Sequence, residues 1–281
     1  MILIEPKKPL NILAIFAHPD DLTYYCAGTI AKWVKQGHNI TTLCCTKGEV
    51  GTLRPELTKE KVAKLRVKEL MDANEVLGVK ETLVLDFPDG GLIDGSKLRE
   101  KLIYYVRKYK ADRVITFDPW VKYEVHPDHV IVGRMASEAA TFAMFPLLYT
   151  EQLKEDIKPY HCTDIWFMGM LGHKPNYYID IASTLEIKIL AGLKFEGTLE
   201  LIAQLFSPDI SPYNVTPKDM KKLAKNASRL FRSMATAMGR NVNLKAAEAF
   251  YVQRVLPGHF DNFQEQMMEM IGNSTESPKI E

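Results

Sequence analysis

The chain has 281 residues and is 46% apolar, enough for one large domain, or a domain with a small annex, whose core needs no disulfide or metal to hold it. Lys and Arg number 36 against 35 Asp and Glu, a net charge of +1, which gives no electrostatic reason to expect a nucleic acid or an acidic membrane as partner and favours a small substrate. The start, MILIEPKKPLN, has Glu5 and Pro6 where a signal peptide needs an unbroken apolar stretch, and no run approaches the ~18 apolar residues of a membrane span, so a cytoplasmic protein without membrane insertion is expected.

In chain order, NILAIFA (11–17) reads as a buried strand and GTIAKWVKQG (28–37) as a helix, with Ile30, Trp33 and Val34 on one side and Gly37 as its stop. ITTLCCT (40–46) is the next strand, and KGEVGTLRPE the loop after it. A long helix from about Thr58 to Leu77 puts Val62, Leu65, Val67, Leu70 and Ala73 near helical spacing and ends at Gly78. Strand 82–87 leads into the turn PDGG, residues 97–109 are amphipathic, and strand 113–118 precedes PWVKYEVHPDH and a helix starting near Asp128. The four cysteines, Cys26, Cys44, Cys45 and Cys162, form no CxxC pair and read as buried, reduced thiols.

Four strand-then-helix units in succession imply parallel strands joined by right-handed crossovers. The expected class is therefore α/β: a Rossmann-like, mostly parallel sheet with helices on both faces, plus additional C-terminal strands and helices. DIWFMGM (164–170) and NYYIDI (176–181) read as two of those strands, and TLEIKILAGLKF as a helix opened by caps around Ser183. Between 208 and 245 the charges Lys218, Lys221, Lys222, Lys225, Arg229, Arg232 and Arg240 suggest the solvated face of a helix. QEQMMEMI reads as a surface helix with its methionines turned inward. The expected organisation is a catalytic domain over 1–195, a helical extension of it over 196–270 and a flexible tail over 271–281.

Two strands end in ionisable clusters: FAHPDD (16–21) after the first and VHPDH (125–129) after the fourth. Ligands of open parallel sheets bind beyond the carboxyl ends of the strands, so these clusters meet if their strands are neighbours. Two histidines and a carboxylate with an open fourth position are a usual set for catalytic zinc. His18 and Asp21, three apart, can face one side of a turn through Pro19, leaving Asp20 as a carboxylate near the metal but off it, suited to a general base. Of His126 and His129, one can ligate while the other stabilises an oxyanion or protonates a leaving amine, with Asp128 placed to orient an imidazole. Turn chemistry is the plain alternative for a single HPD. His38, His161, His173 and His259 have no acid at ligand spacing and read as structural.

AHPDD after the first strand, GT before a helix, TKGEVG after the second strand and HPDH after the fourth together resemble the zinc-dependent de-N-acetylases of the LmbE/PIG-L family. The likeness runs from about residue 11 to 195. It implies one zinc per chain held by His18, Asp21 and His129, with Asp20 as general base and His126, oriented by Asp128, as the electrophilic or acid partner. It implies hydrolysis of an N-acetyl group from an N-acetylglucosamine conjugate, with inositol, malate, lipid or a second sugar attached, and allows for a homo-oligomer, a trimer or hexamer. Arg66 matches a family arginine that contacts substrate, against a plain salt bridge to Glu60 or Glu69; Asp89, in FPDGG, matches a pocket residue, against a type I or II turn. The chain departs from the family pattern at Leu22 and Ala27. Tyr24 and Tyr25 add aromatic bulk that suits either a sugar face or the core, and Glu124 stands where some relatives carry a tyrosine, so no role transfers there. Two rivals are a phosphoesterase using Asp20, Asp21, Asp86 and Asp128 around two ions, and a nucleotide-binding module, which lacks a GxGxxG after the first strand.

Overall fold

The computed structural model describes residues 8–255 except 93–94, 123, 155, 169–173 and 207–215. The strong apolar runs form parallel strands: β1 (Asn11–Phe16), β2 (Asn39–Thr46), β3 (Glu81–Phe87), β4 (Arg113–Phe117) and β5 (Asp164–Met168). With β6 (Tyr177–Asp180) and β7 (Ala247–Arg254) they make one seven-stranded sheet in the order β3-β2-β1-β4-β5-β7-β6. β1 and β4 are buried almost end to end, as strands covered on both faces must be.

Helices α1 (Asp21–Lys35) and α2 (Lys59–Leu77) pack against α5 (Leu185–Gly192), while α3 (Ser96–Tyr109) packs on α4 (Pro127–Phe142). Right-handed crossovers put these two groups on opposite faces of the sheet. α2 begins at the Thr58 cap and stops at Gly78, whose φ of 76° suits the left-handed position of a helix stop. Order reverses between β1 and β4, which pair in parallel. That switch point is where the loops after the two strands part and leave a crevice, and both HPD motifs sit there.

Two differences from the sequence expectation share one cause. β7, which has no counterpart in the helical reading of 196–270, runs antiparallel between β5 and β6. α1 starts at Asp21, seven residues before the expected start at Gly28, and is broken at Cys26 (φ −141°). At the break the amides of Gly28 and Thr29 donate to the two oxygens of Glu248 on β7, at 3.0 and 2.7 Å. Gly28 is therefore a second helix start, capped by a carboxylate brought in from a late strand.

Glu248 also accepts from Lys188 Nζ at 2.6 Å, and that ammonium donates on to the Tyr24 carbonyl at 2.9 Å; both side chains are buried. Removing one partner of such a pair leaves a buried charge uncompensated, so Glu248→Ala is expected to lower unfolding free energy by about 3–5 kcal/mol in urea titration. A loss under about 1 kcal/mol would show that the pair does not hold the helix break.

The C-terminal helices are α6 (Glu196–Phe206) and α7 (Pro217–Arg240). α7 opens with a Thr216/Asp219 capping box and Pro217 in its first turn. All seven basic residues named above are exposed, as a solvated face requires. The four cysteines are free and buried. Among the described residues no helix is long and apolar enough to cross a membrane. QEQMMEMI, the expected tail, His173 and His259 lie outside the described residues.

Candidate active site

The turn after β1 is tied by the His18 amide, which donates to Asp21 Oδ2 at 2.6 Å, while the Asp21 amide donates back to the His18 carbonyl. This places both side chains on one side, and His129, from the first turn of α4, meets them. His18 Nδ1 lies 3.3 Å from Asp21 Oδ2 and 3.3 Å from His129 Nε2, and His129 Nε2 lies 3.4 Å from Asp21 Oδ1. A tetrahedral ion with bonds of 2.0–2.1 Å needs donor atoms about 3.3 Å apart; the two imidazole nitrogens have that spacing, and the Asp21 carboxylate turns one oxygen to each of them. His126 joins His18 and His129 in one group of ligand-type atoms, and Asp89 and Asp128 join His18 in another. The donor set, two neutral-capable imidazoles ringed by carboxylates, suits a divalent cation.

The far side of His18 is held by carboxylates. Its Nε2 lies 3.2 Å from Asp89 Oδ1 and 3.4 Å from Asp128 Oδ2, ion-pair approaches without hydrogen-bond alignment. A carboxylate behind a ligating histidine fixes its tautomer and raises its basicity. Burial by itself would lower the His18 pKa, but the charge of Asp21 and the contacts with Asp128 and Asp89 raise it to about 12. Burial would likewise raise Asp21, yet His18 and His129 hold it well below the usual carboxylate range. His126 is lowered by burial and by His18 and His129.

Several expected roles come out differently. Asp128 does not face His126: it accepts from the Gly90 amide at 2.7 Å and the Leu92 amide at 3.3 Å and faces His18. His126 is the extended N-cap residue of α4, and its ring stacks on His129 of the first turn. Asp89 sits in a turn closed by the Gly91 amide on the Pro88 carbonyl, with Gly90 at φ 71°. Its oxygens face His18 and the Val50 amide, so it supports the histidine. Asp86, needed by the two-ion rival, is exposed and paired with Lys47.

Arg66 pairs with neither Glu60 nor Glu69 but with Asp20, Nη2 to Oδ1 at 2.7 Å. The KGEVG loop closes over its guanidinium: a Cβ at Gly48, where φ is +67°, would lie 2.4 Å from Arg66 Nε, and one at Gly51 2.6 Å from Nη1. Asp20 is thus held by Arg66 rather than by His18 or Asp21.

The histidines of HPDH are stacked: Phe117 lies 4.2 Å from His129 at 12°, and His129 4.5 Å from His126 at 17°. Tyr25 meets Phe117 edge-on and Tyr24 packs on Phe231 of α7, so both tyrosines are half-buried packing residues. Glu124, for which no role is expected from the motif, accepts from the His126 amide at 2.8 Å and places its other oxygen 3.6 Å from His129 Nδ1. An acid five residues before a histidine is no signal by itself; the Glu124 amide donating to the Val121 carbonyl helps set it beside His129. His38 accepts from the Leu10 amide, a structural bond.

Comparison with known proteins agrees with this geometry. The PIG-L family model, described as GlcNAc-PI de-N-acetylase, matches residues 13–140. The chain is 34% identical over 207 residues to a diacetylchitobiose deacetylase of Thermococcus kodakarensis, covering 72% of this chain and 77% of that protein. It is 34% identical over 138 residues, 47% of its length and 60% of the relative's, to a probable N-acetyl-α-D-glucosaminyl L-malate deacetylase of Bacillus anthracis. The structure of N,N'-diacetylchitobiose deacetylase from Pyrococcus horikoshii superposes with a TM-score of 0.73 at 28% identity, over 89% of this chain and 85% of that one. Carrying both HPD motifs at the switch point of this sheet, the chain belongs to the PIG-L family.

Proposed function

We propose that the protein hydrolyses the N-acetyl group of an N-acetylglucosamine conjugate, releasing acetate and a free amino sugar, with one zinc ion per chain held by His18, Asp21 and His129. The observation that carries this reading is the meeting of His18, His129 and the Asp21 carboxylate: the two imidazole nitrogens lie 3.3 Å apart, one Asp21 oxygen lies 3.3 Å from His18 and the other 3.4 Å from His129, and His126 stacks on His129. A zinc ion held by His18, Asp21 and His129 would supply Lewis acidity for the acetyl carbonyl and for the attacking water. Asp20 takes the proton from the attacking water, and His126 donates an N–H to the oxygen on which negative charge develops. The carbon–nitrogen bond then breaks as the proton held by Asp20 passes to the departing amine.

Relatives named for deacetylation of diacetylchitobiose, GlcNAc-malate and GlcNAc-inositol support the reaction class and lend nothing to the phosphoesterase or nucleotide-binding rivals. Four buried thiols suit a reducing compartment such as the cytosol. The test is acetate release from N,N'-diacetylchitobiose, N-acetylglucosaminyl malate and N-acetylglucosaminyl inositol, with and without a chelator. Expected is release from at least one conjugate, lost on chelation and restored by zinc. Release that ignores the chelator would refute the metal-assisted reaction.

A further inference from the structure

The carboxylate of Asp20 is held at both ends. Oδ1 accepts from Arg66 Nη2 at 2.7 Å, and Oδ2 accepts from the hydroxyl of Thr198 at 2.9 Å. Thr198 lies in the first turn of α6, beyond residues 13–140 that match the family model, and is 4% exposed. We propose that Thr198 is a positioning residue for Asp20, fixing the carboxylate plane so that the remaining lone pairs face the attacking water; this rests on the reading of Asp20 as the general base.

A hydroxyl inside a helix ordinarily bonds back to the carbonyl four residues before it. Ser137, Thr141 and Ser228 do so here, donating to Gly133, Ser137 and Ala224. Thr198 instead reaches an acid 178 residues away in sequence. Its helix is anchored on either side of it: Phe195 and Leu199 are buried, and the Gly197 amide donates to Glu69 Oε1 at 2.7 Å. Glu69 lies one helical turn from Arg66 on α2, so one face of α2 holds both the arginine that grips Oδ1 and the acid that seats the helix gripping Oδ2. Two hydrogen bonds on opposite oxygens oppose rotation about the Cβ–Cγ bond, which is otherwise broad and soft.

The test compares Thr198→Val, which keeps the shape and removes the hydroxyl, with Thr198→Ser, which keeps the hydroxyl, using N,N'-diacetylchitobiose as probe. Expected is a fall in kcat of on the order of 10-fold or more for the Val variant, with KM and bound metal unchanged, and recovery of most of that loss in the Ser variant. Wild-type kcat in the Val variant, a loss confined to KM, or an equal loss in the Ser variant would overturn the proposal. In an Asp20→Asn background Thr198→Val should cost nothing further; a near-native rate for Asp20→Asn by itself would instead refute the base reading. Crystal structures give a readout independent of turnover. The Asp20 carboxylate should be turned or split in the Val variant, and an unmoved carboxylate would overturn the positioning role.

Discussion

Asp20→Asn is expected to lower turnover by about 10²–10⁴-fold while leaving bound metal at the wild-type level, the range that a positioned general base contributes. The substitution is nearly isosteric. Its amide oxygen can still accept from Arg66, and its amide nitrogen can donate to the Thr198 oxygen, so both neighbours of Asp20 keep a partner. The contacts among His18, Asp21 and His129 do not involve the Asp20 side chain, so they are untouched. What is lost is the ability to take a proton. Steady-state kinetics combined with metal analysis checks this, and an Asn variant that turns over at near the native rate would end the assignment.

His129→Ala should behave in the opposite way, losing the metal first and activity as a consequence. In the proposed ligand set His129 Nε2 would be one donor, and removing it would leave an ion with His18 and Asp21 alone. Metal affinity should fall by more than the roughly 100-fold that loss of an outer-sphere partner can cost. His126→Ala is the control: stacked on His129 but outside the proposed ligand set, it should retain metal and lose turnover. Elemental analysis of both proteins after dialysis decides the point. Full zinc content in His129→Ala would mean that the other histidine of HPDH is the ligand.

Much of the site was legible in the chain. The spacing of His18 and Asp21 within a Pro-containing turn predicted a shared face, and the turn is built that way. The placement of HPDD and HPDH after the first and fourth strands predicted a common crevice, which the β1–β4 pairing makes. Adjacency in sequence suggests His126 as the partner of Asp128, whereas the Asp128 oxygens lie against His18 Nε2 and the Gly90 and Leu92 amides. Arg66 was assigned either to substrate or to a helix neighbour, and its contact is a carboxylate 46 residues back.

Local pattern by itself determined the first six strands, the helices between the parallel strands and the two halves of the site, but not β7 or the true start of α1. Burial of an apolar face is a short-range property that period, caps and glycine stops express within a dozen residues, and a strand end followed by HPD carries its own turn. Only the tertiary structure decided who stands behind those residues. Glu248 capping the break in α1, Thr198 gripping Asp20 and Glu124 beside His129 depend on how separate segments pack, and two of these pairs join residues about 180 to 220 positions apart. No residue in either segment signals such a partner, because a buried glutamate or threonine looks like any other until a helix or strand lays it against the group it serves.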